Sequence, residues 1–408
     1  MSLAMLQLLL LPVALGWRAT TLPCCAHSTA GCSRHSAVLS SASSAANTKF
    51  EQLRAKTIEC LRLEYDSFFN PMEMEFYDKS VTFEDPLISL TGPEAYKKNV
   101  EMLAGSNPVG KLLFSDSALT MHSVTVGPKP EQLSTRWTLQ FRFRLLPWAP
   151  LAQFTGISQY TLNSNAKVLK QADFWDSVNL VDGGKYEPKD KIAAVIDLLK
   201  QLAPKPSGAQ AASDKELPYV LLRRAPDYEV RRYPVHVAVS TAYEQRIDGF
   251  GTLGAYTNGA NSQGKELKAY VPSLISVPVP DGPPNIDGET PRTEDSPPKM
   301  MRWPMSVPAF RDETPPQPND RLERVVKLEL MPSKVVAVMP FSEPTTERNV
   351  RGYARLLRSA LDRDGLSVVD SVKEEEFRLA QFDALNSLGA RRSEIWWELK
   401  DHLWENGD

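Results

Sequence analysis

The first acidic residue of this 408-residue chain is Glu51; before it there is neither Asp nor Glu. Cysteine is scarce, with Cys24, Cys25, Cys32 and Cys60 and none beyond. No apolar run reaches the roughly 18 residues that a membrane-spanning helix needs. The patterns CxxC and HExxH are absent, as are a phosphate-cradling glycine loop and a nucleophile beside a base. An excess of basic charge is missing too: 47 Lys and Arg stand against 50 Asp and Glu, for a net charge of −3 and a pI near 6.1. That balance gives no electrostatic footprint for nucleic acid. Together these absences argue against an enzyme, with no catalytic residue expected, and against a nucleic-acid binder.

What is present begins with a leader. Residues 1–48 are acid-poor, with Ser and Ala crowding Ala37 to Ala46, and read as a disordered transit peptide for a chloroplast or other plastid. Leu6 to Gly16 is long enough for a signal-peptide h-region, so a bipartite signal for a complex plastid is the alternative. Removing the leader takes three cysteines with it and leaves Cys60 without a partner for a disulfide. The remaining length is too great for one ordinary core, which sets the expectation of two domains.

The first domain is expected over 50–185. A helix from Phe50 carries Leu53, Ile58, Leu61, Tyr65 and Phe68 on one stripe and stops at Asn70-Pro71. The clearest strand is Thr135 to Arg144, where Trp137, Leu139, Phe141 and Phe143 alternate with Arg136, Thr138, Gln140 and Arg142, one face dry and one wet. Further strands follow at Ile157 to Leu162 and Val168 to Trp175. A helix on a curved antiparallel sheet makes an α+β cone. On Phe83-Glu84-Asp85-Pro86, Arg136-Trp137-Thr138, Pro147-Trp148, Gly156 and Asp173-x-Trp175-Asp176, this half resembles the plant and cyanobacterial domain of unknown function related to the nuclear-transport-factor cone. That resemblance implies a fold that often encloses a pocket. Asp85 is the best candidate base, with Asp173 and Asp176 beside it, yet an Asp before Pro reads more simply as a turn residue. His122 sits in no motif.

An amphipathic helix through Ile192, Val195, Ile196 and Leu199 and a Pro-, Ser- and Ala-rich linker fill 188–215. The second domain is expected over 216–402. It opens on PDYEVRRYP, Pro226 to Pro234, followed by a strand in which Val235, Val237 and Val239 alternate with His236, Ala238 and Ser240. Val237-Ala238-Val239 plus a helix is echoed by Val336-Ala337-Val338 plus a helix, so two related halves are expected. Thr345 or Thr346 caps the later helix, and Asp364-Gly365 ends it.

Glu229, Arg231, Tyr233, Pro234, Phe250, Leu253, Tyr256, Gly259 and Asn261 fall in the order of a known pattern. On these residues the second domain is identified as a member of the SOUL/haem-binding protein family. The resemblance implies a pseudo-twofold antiparallel β-barrel flanked by two helices, and haem or a related tetrapyrrole as a reversibly held ligand. Arg391-Arg392-Ser393-Glu394 resembles the family's closing Arg-Asn-Glu, with Ser393 in place of Asn. Ala269-Tyr270-Val271-Pro272-Ser273 departs from its Met-Thr-x-Pro-Val, and 279–299 is a Pro- and acid-rich insertion expected to be disordered.

A porphyrin needs an apolar cleft and cations for its carboxylates. The candidate ligand-binding residues are Phe250, Leu253 and Tyr256 for the cleft and Arg231 and Arg232 for the rim. His236 is the candidate iron ligand, although a lone His on a strand reads equally as a half-buried polar residue. His402 lies beyond the last landmark, and Met300, Met301 and Met305 read as core or loop. The expected function is tetrapyrrole carriage, buffering or signalling in plastids. The alternatives are a scaffold at plastid lipid bodies and a small-molecule enzyme in the cone domain.

Overall fold

The computed structural model describes residues 39–69, 71–189, 191–204, 215–278, 298–305, 315–369, 376–382 and 392–400, with backbone alone for 39–47, 278 and 376. The leader before residue 39, most of the linker and of the insertion, Arg391 and His402 lie outside the described residues. The protein is α+β in both domains. No helix among the described residues is long and apolar enough to cross a membrane.

Helix α1 (Leu39–Asp66) begins ahead of the expected Phe50, inside the stretch read as leader. Its stripe buries Leu61 and Tyr65 against a six-stranded sheet. The helix ends where Phe68 and Phe69 turn to φ 55° and 53°, a left-handed conformation uncommon for such bulky residues. Strands β1 (Tyr77–Glu84) and β2 (Ser89–Thr91) precede α2 (Pro93–Leu103) and α3 (Pro108–Leu113). Then come β3 (Phe114–Val126), β4 (Gln132–Phe143), β5 (Leu151–Leu162) and β6 (Val168–Trp175). The sheet order is β2-β1-β6-β5-β4-β3, with β1 and β6 parallel and every other pair antiparallel. Its inward side chains alternate along each strand, Trp137 and Phe141 on β4 and Gln171, Asp173 and Trp175 on β6.

The short α4 (Asp176–Asn179), the ribbon β7 (Leu180–Val181) and β8 (Lys185–Tyr186), and α5 (Lys191–Leu202) close the first domain. Ala194, Leu198 and Leu202 of α5 join its core, whereas Ile192, Ile196 and Leu199 of the expected stripe are exposed, because the helix packs by its other side.

The second domain is a nine-stranded antiparallel sheet. Its strands are β9 (Val220–Arg224), β10 (Glu229–Tyr233), β11 (His236–Tyr243), β12 (Ser273–Pro278), β13 (Lys299–Pro304), β14 (Val326–Met331), β15 (Lys334–Phe341), β16 (Glu376–Gln381) and β17 (Ser393–Glu398). Helix α6 (Arg246–Thr257) follows β11 and α7 (Glu347–Arg363) follows β15. The order β14-β11-β13-β12-β16-β17-β15-β10-β9 contains the expected pseudo-twofold. β11-α6-β12-β13 and β15-α7-β16-β17 are equivalent units joined by the β12–β16 pair. Each unit takes as its outer neighbour the strand that precedes the other unit in sequence, β14 beside β11 and β10 beside β15. Thr346 is the cap of α7, accepting from the Asn349 amide, and Gly365 leaves the helix at φ 72°.

Two expectations about strand faces fail. Arg136 and Thr138, read as the wet face of β4, are 7% and 8% exposed. They lie against β9: Thr138 Oγ1 donates to the Leu221 carbonyl (2.6 Å) and Arg136 Nη2 to that of Leu222 (3.1 Å). The Arg224 amide donates to Thr155 Oγ1 (2.7 Å), and its guanidinium bridges to Asp197 of α5. At the centre sits Asp176, with no exposed surface. It accepts from Arg136 Nη2 (2.6 Å), Thr155 Oγ1 and Tyr186 Oη, and faces Arg223 Nε of β9 at 3.9 Å. Burial disfavours its charge, but the two arginines hold the carboxyl below the usual range. Likewise β11 does not have one wet face, for Ala238, Val239 and Ser240 are all buried while Val235, just ahead of it, is 56% exposed.

Replacing Asp176 by Ala leaves two buried arginines uncompensated, so we expect a loss of about 3–5 kcal/mol. Urea unfolding should show the loss, together with separation of a single transition into two as the domains uncouple.

Candidate ligand-binding face

Helix α6 is apolar nearly all round, which is why it has two useful faces. Gly249, Leu253, Tyr256 and Thr257 point into the domain. Gly249 allows the close approach: a Cβ there would meet Met301 Cε of β13 at 3.0 Å. Leu253 and Tyr256 have no exposed surface, and Tyr256 Oη donates to the Pro316 carbonyl (2.7 Å). They are core, so they do not line an open cleft. The outward face carries Ile247, Phe250, Gly251, Gly254 and Ala255, at i, i+3, i+4, i+7 and i+8. Ile247 is 61% exposed and Phe250 half-buried. A Cβ on Gly251 would meet nothing within 4 Å, and one on Gly254 only Trp303 at 4.0 Å. The result is a shallow apolar floor, walled by Trp303 of β13, whose ring lies 5.8 Å from that of Phe250. The buried Trp303 indole N–H has no acceptor among the described residues. Arg246 and Lys299 stand at the N-terminal end of this floor; Arg246 donates to Thr345 and Lys299 to the Glu244 carbonyl.

The expected rim cations are elsewhere. Arg231 is 4% exposed and forms a buried cluster with Glu394 (3.1 Å) and Glu229 (2.6 Å), its guanidinium 4.4 Å from the Tyr219 ring centroid. Glu394, with no exposed surface, also accepts from Arg392 (2.9 Å) and from the Trp396 indole (2.8 Å). Although burial opposes it, Arg231 and Arg392 keep Glu394 below the normal carboxylate range. The Glu-x-Arg-x-Tyr and Arg-Ser-Glu segments therefore meet as one ion cluster between β10 and β17, bridged by β15. Arg232, partly buried, turns towards the first domain, where its charge helps keep His122 neutral. His122 itself is pushed down to about 4, chiefly by burial, and its Nε2 bonds to Thr138 Oγ1 (2.7 Å).

His236 is 8% exposed. Its Nδ1 bonds to the Pro234 carbonyl (2.9 Å), and its buried Nε2 has no partner among the described residues. Burial lowers its pKa, so the ring is neutral and Nε2 keeps its lone pair. On β11 the helix-facing residues are Val239 and Tyr243, so His236 lies on the opposite face of the strand from α6. The six candidate residues are thus not one site: Phe250 lies on the outer face, Leu253 and Tyr256 beneath it, His236 behind the sheet and both arginines across it. Gly251 and Trp303 were missed. The signal for them was a helix apolar on both sides, since the inner half alone satisfies packing.

Residues 214–398 match the family described as SOUL heme-binding protein. The second domain is a SOUL domain. Residues 55–171 match the family described as uncharacterized conserved protein (DUF2358). No curated protein matches the chain. Among solved structures, an NTF2-like protein of unknown function from Exiguobacterium is 17% identical, over 29% of this chain and 98% of that one, with a TM-score of 0.24. A phenazine biosynthesis-related protein from Pseudomonas aeruginosa is 11% identical, over 39% and 94%, with a TM-score of 0.28. A putative polyketide cyclase from Pseudomonas putida is 9% identical, over 37% and 98%, with a TM-score of 0.26.

In the cone domain, Asp85 accepts from the Leu87 and Ile88 amides (both 2.7 Å), the turn role its Pro neighbour suggested. Glu64 of α1 is 1% exposed and accepts from Tyr77 Oη and the Glu73 amide (2.7 Å). Burial pushes it up to about 7, and the nearby Cys60 thiol up to about 12. A carboxyl raised in the fold binds its proton more tightly there than in the unfolded chain, so its contribution weakens as pH rises from about 4.5 to about 7. His122 acts in the opposite sense between about 4 and 6.5. The difference between the native chain and Glu64→Gln isolates Glu64. The native chain should lose on the order of 5 °C in Tm relative to the variant across that window, as read by circular dichroism.

Proposed function

We propose that the SOUL domain of this chain holds haem or a related tetrapyrrole reversibly, for carriage, buffering or signalling, and performs no catalysis on it. The observation that carries this is the outward face of α6, where Gly251 and Gly254 leave a flat apolar floor between Ile247, Phe250 and Trp303. A porphyrin is a flat apolar plate with carboxylates at one edge, and such a floor buries one of its faces. Arg246, Lys299 and the N-terminus of α6 lie at one end, where the carboxylates would sit.

A surface floor with His236 behind the sheet favours reversible holding over permanent ligation. The acid-free leader supports a plastid as the place where this happens.

Haemin titrated into the full chain should give a saturable Soret change at micromolar concentration. Gly251→Glu adds a charge where the helix has open space and keeps a good helix former, so it should weaken binding at least about ten-fold with the fold intact. His236→Ala should stay within about two-fold of the native affinity. An unsaturable native curve, or a Gly251→Glu curve that overlays it, refutes the reading.

A further inference from the structure

We propose that the first domain carries a second ligand site, centred on Asp173, for a small uncharged molecule with an aromatic body and a hydroxyl that donates to that carboxylate. This rests on the cone interior and is independent of the tetrapyrrole reading. Asp173 points inward from β6 between Gln171 and Trp175 and lies opposite Ser158 of β5. Gln171 Nε2 donates to Asp173 Oδ1 (2.9 Å), and Tyr96 Oη donates to Gln171 Oε1 (2.6 Å). Ser158 Oγ accepts from the Trp137 indole (2.8 Å) and is joined to Tyr65 Oη (3.2 Å), which meets Tyr160 Oη (2.9 Å). Every other member of this network is sealed, Ser158 at 0% and Tyr96 at 2% exposure. Asp173 alone among them keeps accessible surface.

The sheet explains the opening. β1 pairs with β6 only as far as Glu84 and Ala172, and the Asp85-Pro86 turn then leads it away. Beyond that point β6 has no paired strand on that side among the described residues, and Asp173, on the edge so left, keeps part of its surface exposed. Around it the walls are aromatic: Phe83 stacks on Tyr96 at 4.9 Å, and Phe69 packs on Tyr65 and Tyr96. Phe69 reaches them through its left-handed backbone, a costly conformation of the kind that collects at functional sites. The domain's buried arginine, Arg136, is on the outer face with Asp176. Among the described residues the site therefore offers a carboxylate and hydroxyls but no cation to hold an anion, and Asp85 adds negative charge beside it.

The groups facing Asp173 are Tyr65 of α1, Tyr96 of α2, Tyr160 of β5 and Asp85 at the end of β1. Burial holds the three tyrosines in the hydroxyl form. Burial also pushes Asp173 up to about 7, with Asp85 adding to it, while hydrogen bonds from Ser158 and Gln171 pull the other way. A hydroxyl ligand should thus bind more tightly once Asp173 has lost its proton.

The test uses 2-naphthol, which stays neutral below about pH 8, with the full chain and fluorescence as readout. Saturable binding is expected, about five-fold tighter at pH 8 than at pH 5.5, because a charged acceptor makes the stronger hydrogen bond. Asp173→Asn should remove the pH step while leaving haemin titration unchanged, which separates this site from the SOUL domain. No saturable binding, or a step that survives Asp173→Asn, overturns the proposal. If that variant does not fold, the native curve decides: a step centred near 7 supports the site and a flat curve refutes it.

Discussion

The structure depends on one buried charge. Asp176 sits where the sheet of the first domain ends, and it is held by Arg136 from that sheet and Arg223 from the second domain. An isolated carboxylate there would be far too costly to desolvate; two guanidinium groups and two hydroxyls offset the cost. The same arrangement makes Arg136 tolerable in a buried position, so neither domain presents this surface correctly without the other. It also explains why polar residues on β4 face protein and not water.

The SOUL domain solves a similar problem on its own. Its most recognisable polar residues, Arg231 and Glu394, are spent on each other within the sheet, with Arg392 and Glu229 completing the cluster. A motif can thus be diagnostic of a fold because it ties strands together, while the proposed ligand face is made of residues that look unremarkable. On α6 those residues are glycines and an alanine, whose contribution is the absence of a side chain. The pseudo-twofold deepens the contrast. α7, the equivalent helix, exposes Arg348 and Arg355 where α6 has Ile247 and Gly254.

The first domain keeps a polar interior of tyrosines and carboxyls under an aromatic cover. Protonated or hydrogen-bonded groups can be buried this way because each finds a partner inside the cone. Asp85 and Asp173, both flagged by type, separate by geometry: one has its oxygen committed to a turn, the other faces the gap left by β1.

By itself the sequence determined both domains, the repeated strand-helix unit, the cap and stop of α7, and the amphipathic stripe of α1. These follow from periodicity and short-range turn chemistry, which act between neighbours along the chain. It also carried the SOUL pattern, since those residues lie in order on single elements. What only the tertiary structure decided was which polar faces are wet, which arginines are free, and which side of α6 is open. Those are properties of pairs far apart in sequence, such as Arg136 with Leu222 or Arg231 with Glu394. The pattern of a strand or helix states that two faces differ, but the desolvation of a face is set by whatever comes to lie on it.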